Sequence, residues 1–107
     1  MADLLEKINA LIAAPADAPS CDLDQIENTL TDGYARALSL EAERWRIEKR
    51  LSEIAQGLKS GDFAEKATEL RALATRLDGN ADELVKLRAL LNDLRRRADD
   101  VRVAALQ

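Results

Sequence analysis

Leucines recur through the second half of the chain in alternating steps of three and four: Leu70, Leu73, Leu77, Leu84, Leu87, Leu91 and Leu94, continued by Ala98, Val101 and Ala105. A seam of this kind faces one side of an α-helix and is stable only when another helix packs against it. It predicts a helix over residues 62–105, with Asp62 and Glu65 at capping-box spacing at its start. A matching seam, Leu23, Ile26, Leu30, Gly33, Ala37, Leu40, Arg44, Ile47, Leu51, Ile54 and Leu58, predicts a second long helix over residues 22–59, opened by Asp22 with Gln25. Gly57, Ser60 and Gly61 mark the turn between the two. Near the N-terminus Leu4, Leu5, Ile8, Leu11 and Ile12 form the stripe of a short amphipathic helix over residues 3–14. Pro15 and Pro19 stop it, because each removes a backbone donor and restricts the residue before it, which leaves 15–21 as a linker.

Asp78-Gly79-Asn80 is a local stop signal, and Asn80 with Glu83 repeats the spacing of a helix start. A turn there would give a three-helix bundle broken at Gly79. The heptad phase nevertheless passes from Leu77 to Leu84 without a slip, and a loop has no reason to preserve it. The expected fold is therefore all-α, an antiparallel coiled-coil hairpin with a short N-terminal helix, in one domain. A turn near residue 62 pairs Gly33 with Leu91, Ala37 with Leu87, Ile26 with Ala98, Leu40 with Leu84, Ile47 with Leu77, Leu51 with Leu73 and Ile54 with Leu70. Small residues then meet large ones, as close packing requires. The same register sets Arg44 level with Asn80 and near Asp78, which predicts a polar core layer of Arg44, Asp78 and Asn80.

Composition narrows the functional classes. With 16 basic and 20 acidic residues the net charge is −4, which gives no electrostatic footprint for nucleic acid. Arg95-Arg96-Arg97 is the densest basic run, but Asp93, Asp99 and Asp100 stand four residues from Arg97, Arg95 and Arg96 and neutralise it. The chain has no His, one Cys and no glycine-rich phosphate loop, so triads, conventional zinc sites and P-loops are excluded by inventory. Carboxylates remain as candidate chemistry. Asp99-Asp100 and the group Glu41, Glu43 and Glu48 read as solvated helix charge, since carboxylate metal bundles combine such acids with His in a Glu-x-x-His spacing. No catalytic, cofactor or metal residue is assigned. Cys21 reads as a free thiol in the linker, and the Leu4–Ala14 stretch as neither signal peptide nor membrane helix, which makes the cytoplasm the expected location.

One feature is left over by a two-helix seam. Tyr34, Leu38, Ala42 and Trp45 form a second stripe on the first long helix, and Ala67, Ala74 and Ala81 form a smooth row on the other. The short helix, ~18 Å long, is expected to reach toward Tyr34 or Leu38 but not Trp45. The stripe therefore points to an interface. The expected function is that of a non-enzymatic interaction or scaffold protein, a homodimer formed by coiled-coil self-association. The alternatives are an adaptor or chaperone that binds a client helix and, last, a carboxylate metal-binding bundle. A hairpin of this length and acidity invites comparison with the small secreted Trp-x-Gly hairpin family. The turn Gly57-Leu58-Lys59-Ser60-Gly61 holds no Trp, and Trp45 is followed by Arg46 and Ile47, so no kinship is drawn.

Overall fold

The computed structural model describes residues 2–14, 23–57 and 63–106, the side chain of Ala2 excepted. Among them lie three helices and no strand: α1 (Ala2–Ala13), α2 (Leu23–Gly57) and α3 (Phe63–Leu106). The fold is all-α. The 15–21 linker with Cys21, the caps at Asp22 and Asp62, Leu58 and the Ser60-Gly61 turn lie outside the described residues. At the visible helix ends, the Ala14 amide donates to the Ala10 carbonyl at 3.1 Å, and the Lys66 ammonium donates to the Gly57 carbonyl, where the end of α2 concentrates negative potential.

α3 runs unbroken through Gly79. A mid-helix glycine costs about 1 kcal/mol, whereas each buried leucine of the seam is worth roughly 1.5–3 kcal/mol, so burial of Leu84, Leu87 and Leu91 carries the helix past its own stop signal.

The chain divides into two compact units, Met1–Ala37 with Val85–Gln107, and Leu38–Leu84. In the first, Ile26, Ala37, Leu87, Leu91, Leu94, Ala98 and Val101 are buried seam residues of α2 and α3, and Ile8 and Leu11 of α1 are buried with them. The α2 and α3 segments run antiparallel: Gly33 meets Leu91, while Glu27, earlier in α2, pairs with Arg102, later in α3, at 2.9 Å. Gly33 lets the helices approach closely, because a Cβ placed on it would overlap Leu91 Cδ2. With seam positions labelled a and d, the flanking position g holds Thr29 and Arg36 on α2 and Leu90 and Arg97 on α3. Thr29 is fully buried and Leu90 half-buried, so it is the g flank that α1 covers. The Thr29 hydroxyl is satisfied by donating to the Gln25 carbonyl at 2.8 Å.

In the second unit α2 and α3 pack as a pair. Ile47, Ile54 and Leu73 are buried, with Leu51, Leu70 and Leu77 half-buried around them. Its g flank is closed by charge rather than by a helix. Arg50 donates to Glu69 through Nε at 2.7 Å and Nη2 at 3.2 Å, and Arg76 Nη2 donates to Glu43 at 3.3 Å. The two rungs descend α2 as they climb α3, the mark of an antiparallel pair.

The polar layer departs from expectation. Asn80 is buried in the seam, but Arg44 is exposed and pairs with Glu48 on its own helix at 2.9 Å, and Asp78 is exposed. A guanidinium at a seam position reaches solvent along its flexible stem and finds a carboxylate there, which costs far less than dehydrating the charge. Asn80 instead donates through Nδ2 to the Leu40 carbonyl at 2.8 Å.

Candidate interaction surface

The g–g rungs of the second unit identify its other flank by elimination. There the e positions are Glu41, Glu48 and Ala55 on α2 and Ala67, Ala74 and Ala81 on α3. An alanine cannot take part in an ion-pair rung, and Glu48 is committed to Arg44 within α2. One step outward from the α2 e positions lie Leu38 and Trp45, which are 67% and 62% exposed. Ala42, between them along the helix, is exposed; Ala74 is exposed, and Ala67 and Ala81 are half-buried. The flank thus carries a ridge of two large side chains on α2 and, on α3, a row of small ones that starts level with Trp45 and runs away from Leu38. Lys49, one helical turn on, places its ammonium 5.2 Å from the centre of the Trp45 ring, a contact that heptad periodicity does not reveal.

Ridge and row have the same pitch. Leu38 and Trp45 are seven residues apart, as are the alanines, and seven residues of helix rise ~10.5 Å. Tyr34, the remaining member of the expected stripe, belongs to the first unit and is 41% exposed. α1 does not use its reach toward Tyr34: it covers the g flank, and Tyr34 stands at an e position on the opposite one.

Carboxylates and arginines answer one another elsewhere. Glu43 and Glu48 are held by Arg76 and Arg44, Asp99 by Arg102 at 3.0 Å, and Glu41 also has a partner. The hydrogen bonds from Arg50 hold the Glu69 carboxyl below its ordinary value, and in return raise Arg50. In the basic run the expected four-residue pairs do not form; Arg96 lies 3.9 Å from Asp93, and Asp99 is taken by Arg102. Among the described residues no group of three or more His, Cys, Asp or Glu side chains is placed to hold a metal ion, and no helix is long and apolar enough to cross a membrane. A groove of the second unit, lined by Glu43, Arg46, Ile47, Arg50, Glu69, Leu73 and Arg76, is crossed by both rungs, which commit its two carboxylates to arginines. No family model matches the chain, and no curated protein or solved structure shows significant similarity to it.

Proposed function

We propose that the protein is a non-enzymatic helical interaction protein that self-associates as a homodimer through the second unit, the Leu38–Trp45 ridge of each copy seated on the alanine row of the other. The observation that carries this reading is the exposure of Trp45 and Leu38 on a flank without ion-pair rungs at its alanine positions. A second copy is the favoured occupant because the flank is self-complementary: ridge and row share one face and one pitch, so a two-fold axis satisfies both contacts at once. A buried tryptophan at the centre of such an interface is worth ~2 kcal/mol or more.

Sedimentation equilibrium tests the proposal. The chain is expected to weigh twice its 11.8 kDa at high micromolar concentration. Trp45→Glu with Leu38→Glu should return it to a monomer of unchanged helicity, because neither residue belongs to the seam. An 11.8 kDa species at that concentration with a solvent-exposed Trp45 emission would overturn the dimer. The flank would then be open to a client helix, as an adaptor or chaperone would offer it.

A further inference from the structure

Asp78-Gly79-Asn80 joins a helix stop to a helix start, yet α3 passes through it. Nothing in the continuous helix needs a glycine at 79, since a Cβ there would meet no atom within 4 Å. Asn80 is 5% exposed, its Nδ2 bonded to the Leu40 carbonyl, while its equally buried Oδ1 accepts no hydrogen bond from any described residue. A buried acceptor left unmade is costly, and Asp, Gly and Asn in succession are the poorest helix-forming run in α3.

We propose that α3 is a two-state element with a latent break at Gly79. In the closed state Asn80 is a seam residue bonded to Leu40. In the open state the turn at 78–80 unwinds and Asn80 becomes the N-cap of the helix that continues from Ala81, its Oδ1 accepting the amide N–H of Glu83. The atom that lacks a partner in the closed state is the atom an N-cap uses. Opening removes the carbonyl partners Leu77 and Asp78 from the amides of Ala81 and Asp82, whereas the Glu83 amide exchanges the Gly79 carbonyl for Asn80.

Residue-resolved amide hydrogen exchange on the full chain tests this. Ala81 and Asp82 are expected to exchange about tenfold or more faster than Leu73 and Leu87, and faster than Glu83, as a local opening requires. Gly79→Ala should slow Ala81 and Asp82 about fivefold, the loss of the glycine's freedom. Asn80→Asp keeps the cap acceptor and removes the donor to Leu40, so it should speed them. If that variant merely destabilised the whole fold, Leu73 and Leu87 would accelerate by the same factor; acceleration confined to Ala81 and Asp82 marks the local break. Uniform rates from Leu73 through Leu87, or no response to Gly79→Ala, would overturn the proposal.

Discussion

Around Leu91 and Leu94 the seam between α2 and α3 has α1 on one flank and the Glu27–Arg102 bridge on the other, and both leucines are almost wholly inaccessible. Around Leu51, Leu70 and Leu77 the same heptad pattern holds half-buried leucines, two exposed ion-pair rungs and a flank with an exposed tryptophan. Two helices alone bury the centre of their seam, as at Ile47 and Ile54, but leave its margins partly wet, and a third element on the flank is what dries the rest. The first unit draws that element from its own chain. The second has charge pairs, which at such exposure contribute little to stability, and a flank on which Leu38 and Trp45 stay exposed.

The contrast is broken most directly by truncating leucines. Leu94→Ala removes a fully enclosed side chain and should cost about 2–5 kcal/mol in urea unfolding, whereas Leu77→Ala, at a partly exposed position, should cost about 1–2 kcal/mol. Equal losses would mean that the second unit is as well sealed as the first. Glycine replacements come next and should have opposite signs. Gly33→Ala drives a methyl against Leu91 and should destabilise by about 1–3 kcal/mol, while Gly79→Ala, with open space around it, should stabilise by about 1 kcal/mol. Thermal melts of the two variants read the difference directly.

The smallest effect belongs to the rungs. Glu69 is held below its ordinary pKa, so its contribution is complete above that ordinary value and is lost as the pH falls through the lowered one. Glu69→Gln should therefore lower the urea midpoint slightly at neutral pH and not at all once the acid is protonated, with salt shrinking the neutral-pH gap. A gap that survives acidification would assign the Glu69 contribution to packing rather than charge.

Most of the fold was legible in the order of residues. Heptad phase is a local property of one helix; it runs the length of α2 and α3, passes Gly79 without a slip, and puts Gly33 level with Leu91, where the two meet. Leu38 and Trp45 were likewise visible as apolar residues off the seam. Periodicity does not say which flank a third element will take, nor where a long polar side chain at a seam position will turn. Those depend on three-dimensional alternatives: α1 took the flank where Thr29 and Leu90 accept it, and Arg44 left the seam because Glu48 waited in solvent one turn away. What the amino-acid sequence determined by itself was helices and their pairing register, since both follow from repeats along the chain. Tertiary structure alone decided which surfaces stay open, because exposure is set by what remains after every other part of the chain has found its place.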